Sequence, residues 1–154
     1  MNPIAFRILG APYSKANSRK IVDMKIKGTD RTRSAVIKSK EALAYERDAL
    51  MQIPGWARQQ IAAPVRVTLR IFYASERPDL DESVVLDVLQ NRYKGSGENR
   101  VLIQRGVYVN DRQVREKHVY HGLDKANPRT EVCVELLQPV QADMLAPDIG
   151  TMLK

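Results

Sequence analysis

Apolar and polar positions change rhythm along the chain, and each rhythm predicts an element. Residues 4–10, IAFRILG, alternate and predict a strand closed by Gly10 and Pro12. Residues 64–74, PVRVTLRIFYA, alternate most cleanly, with Val65, Val67, Leu69, Ile71 and Tyr73 on the face expected to meet the core. Residues 129–137, RTEVCVELL, predict a last strand, and VYVNDRQVREKHVYHG before them a turn leading into a strand. Helical spacing runs through 34–53, where Ser34 is the expected cap, Val36, Leu43 and Leu50 the expected buried stripe, and Pro54-Gly55 the stop. Trp56, just beyond, is expected to plug the core. A second helix is expected over about 83–91, burying Val84, Val85, Val88 and Leu89. Residues 13–33 are polar, basic and aperiodic, which predicts a long loop with a short hairpin around Gly28. Residues 92–105 predict an exposed loop or inserted hairpin. The order strand, helix, strand, helix, strand, strand predicts one α/β (α+β) domain, a mixed β-sheet packed with two main helices. Residues 1–138 form that domain, and 139–154, which lack a periodic pattern, are expected to be a loose tail.

Charge adds a location to this outline. The formal charge is +7, and between Ser14 and Lys40 nine basic residues face two acidic ones, so this stretch carries the whole excess. Lys15, Arg19, Lys20, Lys25, Lys27, Arg31 and Arg33 are therefore candidates for binding a polyanion such as DNA. No apolar run approaches the ~20 residues of a membrane helix. The start has no basic region ahead of its apolar stretch, so no secretory leader is expected. One cysteine, Cys133, excludes an internal disulfide and a cysteine-rich zinc site. Its place between Val132 and Val134 suits a small core filler. The expected compartment is the cytoplasm.

A basic chain that nonetheless places Asp79, Asp81 and Glu82 within four residues needs a reason. In an extended segment the i and i+2 side chains share a side, so Asp79 and Asp81 project together, roughly 6.5–7 Å apart at Cα, with Leu80 turned to the core. Two such carboxylates suit a hard divalent cation. Asp111, where a strand meets a turn after Val107 and Val109, is the candidate third acid. The competing reading makes Asp81 an ordinary helix cap, Glu82 a favourable first-turn charge and Asp111 a turn residue. Both readings stand on spacing alone. His118 and His121, three apart in a strand, face opposite sides and make a poor metal pair. Signatures for helical His-x₃-His, Cys-x₂-Cys, Gly-x₄-Gly-Lys and Gly-x-Ser-x-Gly sites are missing from the sequence.

Three blocks, GAPYSKANSRK, RPDLDESVVLDVL and GVYVNDRQVREKHV, followed by KANPRTEVCVEL as closing strand, resemble the RusA family of Holliday-junction resolvases, small dimeric phage and prophage endonucleases. The resemblance spans roughly residues 4–138. It implies a mixed α/β fold and a homodimer that cuts opposed strands of a four-way DNA junction during recombination and repair. It further implies Mg²⁺ as cofactor, with Mn²⁺ as substitute, and Asp79, Asp81 and Asp111 as the metal-binding, catalytic acids. The cytoplasm of a bacterium or phage-infected host is the setting it implies. Two departures stand out. Glu82 replaces the family's usual Asn, which makes it an additional candidate ligand. The family's Lys one turn into the helix is replaced by an apolar run. Lys94, Lys117 or Lys15 are the candidates to supply that charge. The rival expectations are a catalytically silent junction-binding protein on the same fold, and a nuclease for another branched DNA.

Overall fold

In a computed structural model the described residues are 2–13, 19–78 and 80–138, with the side chain of Arg19 set aside; Lys15, Asp79 and the 139–154 tail lie outside them. Four strands make the main sheet: β1 (Ile4–Leu9), β4 (Val65–Tyr73), β7 (Val114–Leu123) and β8 (Arg129–Leu136), in the order β1-β8-β4-β7. β8 runs antiparallel to β1 and to β4, whereas β4 and β7 are parallel, so the sheet is mixed as expected. A parallel pair needs a crossover. Here the crossover contains α2 (Ser83–Leu89) and an inserted hairpin of β5 (Arg92–Lys94) and β6 (Val101–Gln104). β2 (Arg19–Lys25) and β3 (Thr32–Lys38) form a separate hairpin, followed by α1 (Lys40–Gln52).

The alternation in β4 does what its pattern dictates: Val65, Val67, Leu69, Ile71 and Tyr73 are fully buried. Ile4 and Ile8 of β1 and Val132 and Val134 of β8 extend that face, and both helices pack on it. α2 contributes Val85, Leu86, Val88 and Leu89, so Leu86 takes the place expected of Val84, which is only partly buried. Among the described residues no helix covers the opposite face of the sheet. It is built of ion pairs and arginine–aromatic contacts: Arg66–Glu116 at 3.0 Å, Arg129 4.2 Å above the Phe72 ring and Arg70 5.8 Å from that of Tyr120.

The first helix begins later than its spacing suggested. Residues 32–38 are strand β3, and the β-branched pair Val36-Ile37 pairs with Ile21 and Lys20 across the hairpin. Ser39, not Ser34, caps α1, accepting from the Ala42 amide at 3.2 Å. The buried stripe is Ala42, Tyr45 and Ala49, while Leu43 stays half exposed. Both stripes have helical spacing, and Tyr45 with two alanines lets the helix lie closer to the sheet than leucines would. Trp56 is 61% exposed and Ala57 fills the core beneath it, so the expected plug is a surface residue.

Glu46 ties three elements together. It accepts from Lys38 at the end of β3 at 2.5 Å and from Arg92 at the start of β5, with only 13% of its side chain exposed. Burial pushes its carboxyl up, but the two cations outweigh this and hold it below the usual range. A depressed folded value means the contribution is complete above the ordinary glutamate range and disappears as pH falls through the folded value. Glu46→Gln is therefore expected to cost about 1–2 kcal/mol in urea unfolding at neutral pH. Wild type and variant should converge in acid.

Candidate functional site

The segment between β4 and α2 brings the acidic stretch to the start of a helix. Asp81 accepts from the Ser83 amide at 3.1 Å and from the Ser83 hydroxyl at 2.6 Å, closing the turn that leads into α2. Its own amide meets the Tyr73 hydroxyl at 3.4 Å, and Tyr73 stacks on His121 of β7 with ring centroids 5.0 Å apart. His118 points the other way, to Glu116 at 2.8 Å. Asp81 thus closes a turn one residue ahead of the N-cap position, which the spacing had offered to it and which Glu82 takes. A carboxylate has about four lone-pair sites, so these two bonds do not by themselves bar a metal. Leu80 is 39% exposed, so it is not turned into the core as expected.

Glu82 lies at the N-cap position, and its carboxylate receives Lys117 from β7 at 2.5 Å. The lysine's hydrogen bond is the main reason the Glu82 carboxyl lies below its ordinary value; backbone hydrogen bonding adds to it, and the neighbouring Asp81 charge opposes it. The strand register explains the meeting: Lys117 pairs with Val67 of β4, on the side where the helices lie. Of the two candidate lysines among the described residues, Lys117 is the one placed beside the acids. Lys94 is exposed at the end of β5 and joins none of the ion pairs among the described residues.

Asp111 opens a short 3-10 turn, Asp111–Gln113, before β7. Asn110 accepts from the Arg112 amide at 2.9 Å, and Gln113 accepts from the Asn110 amide at 2.9 Å, so the turn is held from both ends. The Asp111 amide donates to Gln90 Oε1, just past α2, at 3.0 Å. Asp111 is half-buried, and its carboxylate has no ion-pair partner among the described residues. Beside it, the buried Tyr108 hydroxyl donates to the Leu86 carbonyl at 2.7 Å. Burial, reinforced by the Asp111 and Asp87 charges, raises that phenol far above its ordinary value, so it remains a donor at any working pH.

Asp81 is anchored where α2 begins and Asp111 where it ends, and seven residues of helix rise about 10 Å. Among the described residues no three acids, histidines or cysteines converge on a point that would hold a metal, and Asp79 lies outside those residues. The donor chemistry suits a hard cation: carboxylate oxygens, one of them half-buried and unneutralised. Three residues that position these acids had no signal in the periodic pattern. Gln90 and Asn91 read as the polar end of an apolar run, and Tyr108 sat unnoticed between two valines. Asn91 accepts from the Gly106 amide at 2.7 Å and donates to Gln60 and Tyr93, which fixes the approach of residues 106–109 to α2.

Lys20, Lys25, Lys27, Arg31 and Arg33 all stand exposed on the β2–β3 hairpin. No described helix is long and apolar enough to cross a membrane. Neither the protein-family models nor the curated proteins contain a match to this chain.

Proposed function

We propose that this protein is a Mg²⁺-dependent, structure-selective DNA endonuclease of the RusA type, nicking four-way junctions in opposed strands. The observation that carries the reading is Lys117 of β7 delivered to Glu82, next to Asp81, because it sets a cation beside the acids at the helix start where the family's helix lysine is missing. Asp79, Asp81 and Asp111 would hold the metal, with Glu82 as an additional ligand. Bound there, Mg²⁺ would polarise a backbone phosphate and lower the pKa of a coordinated water. Asp81 keeps its geometry through Ser83, and Asp111 is held in place by Gln90 and the Asn110–Gln113 turn. Lys117 offers a positive charge to the oxyanion that develops at phosphorus. The basic segment meets phosphates without regard to sequence, and shape selects the junction. Two symmetric nicks call for a homodimer with two sites related by a twofold axis. Recombination and repair in the cytoplasm of a bacterial or phage-infected cell is the setting.

The test is a synthetic four-way junction, a flap and a plain duplex, each with Mg²⁺ or with chelator. Paired symmetric nicks in the junction, abolished by chelator, are the expected result. Preferential cutting of the flap would move the substrate to another branched DNA. An intact but tightly bound junction under both conditions would leave a silent binding protein.

Lys117→Met separates the roles of that side chain. The pair is partly exposed, so its loss should change urea stability by less than about 1 kcal/mol. The nicking rate is expected to fall at least about tenfold at saturating Mg²⁺.

A further inference from the structure

We propose that the β2–β3 ribbon lies in a groove of duplex DNA with one particular face inward, the face carrying Lys20, Val22, Met24, Arg33, Ala35 and Ile37. This deepens the nucleic-acid part of the reading above and rests on it. Antiparallel pairing puts Lys20 opposite Ile37, Val22 opposite Ala35 and Met24 opposite Arg33, so these six side chains share one side of the ribbon. That side has two cations, four apolar residues and no acid. The other side takes the register positions of Arg19, Ile21, Lys25, Thr32, Val36 and Lys38 together with Asp23, which accepts from Ser34 at 3.4 Å, so with Lys38 paired it keeps a formal +1 against +2. Its Lys38 is already committed to Glu46. Phosphate attraction therefore favours the acid-free side.

Dimensions agree. Two strands stand about 4.8 Å apart, and seven residues extend about 23 Å. Such a ribbon enters a major groove about 12 Å wide. An isolated two-stranded hairpin is marginal in water. In this one Ile21 and Val36 of the other side are 71% and 62% exposed, whereas on the proposed face Met24 and Ile37 are just under half exposed and Val22 and Ala35 are part-buried. Its tip is closed by backbone bonds between Ile26 and Arg31 at 2.9 Å and between Thr29 and Ile26 at 3.1 Å, and presents Lys27 and Arg31. The Glu46 latch fixes its base to α1. In the groove, Lys20 and Arg33 would meet phosphates on the walls while the apolar residues cover the floor, where thymine methyls are exposed.

The test measures binding to a fluorescent duplex in chelator, so that no cleavage intervenes, across a salt series. Lys20→Glu and Arg33→Glu are each expected to weaken binding about tenfold or more and to lower the salt slope by about one. Thr32→Glu, on the opposite side, should change affinity less than about threefold. Equal losses at all three positions, or none, would overturn the assignment. Met24→Glu is also followed by sedimentation: loss of self-association with unchanged duplex affinity would give this face to a second copy and refute the proposal. Mg²⁺-dependent nicking by wild type, with Lys20→Glu and Arg33→Glu unshifted in duplex affinity, removes the ribbon alone. Face-specific binding without Mg²⁺-dependent nicking removes the nuclease alone.

Discussion

Asp81→Asn should abolish Mg²⁺-dependent nicking, by at least about a hundredfold, while leaving the fold and DNA binding intact. The expectation turns on the two roles that Asp81 combines. In the turn ahead of α2 it accepts from Ser83 through one oxygen, and an asparagine side-chain oxygen accepts as well. Urea stability should therefore change by less than about 1 kcal/mol. As a ligand it supplies negative charge, which the amide lacks. Outer-shell partners of metal sites alone are worth ~10–100-fold, so loss of a direct ligand should exceed that range. Quantitative nicking of a labelled junction at several Mg²⁺ concentrations reads the effect. Equal rates for wild type and variant would reduce Asp81 to a turn residue and take the site away from this end of α2.

Gly106→Ala is expected to be the most damaging small substitution in the chain. A Cβ at this position would stand 2.3 Å from the Gln90 carbonyl carbon, 2.5 Å from the Asn91 nitrogen and 2.5 Å from the Leu89 oxygen. All three are backbone atoms, so no rotamer change relieves the contact. The glycine is locked from both sides: its amide donates to Asn91 Oδ1, and its carbonyl accepts from Gln60 at 3.1 Å. Opening the gap would also pull on the bond from Val107 to Leu89 at 2.7 Å and on the Asp111–Gln90 tether. Overpacking commonly costs 1–3 kcal/mol, and with backbone on every side the loss here should reach about 3 kcal/mol or more. Chemical denaturation measures it. A variant as stable as wild type would mean that residues 106–109 do not run against the end of α2 as described, and Asp111 would lose its anchor.

What could be read from residue order follows how local the signal was. β4 alternates because one of its faces is fully buried, and both helices were visible because each buries a stripe. The start of α1 was not, because SAVIK has helical spacing and strand-forming residues at once; pairing with residues 19–25 decides it, and pairing is not local. Trp56 misled because size argues for burial, whereas the 3-10 turn gives the inner place to Ala57. At the candidate site, Asp81, Asp111 and Lys117 were legible as residues, but the contacts that position them come from distant segments. Gln90 reaches Asp111 across 21 residues and Lys117 reaches Glu82 across 35. Gly106 acquires its meaning only beside the backbone of residues 89–91, about fifteen residues earlier in the chain.

The account stands or falls on carboxylates from two separated segments holding one divalent ion. Soaking crystals in Mn²⁺ and locating the metal by its anomalous scattering addresses this directly. The expected result is a Mn²⁺ peak beside α2 with Asp81 and Asp111 as ligands, directly or through one water, and no peak in Asp81→Asn crystals. A metal bound elsewhere, or an Asp111 carboxylate beyond a water-bridged reach of the ion, would contradict the nuclease reading.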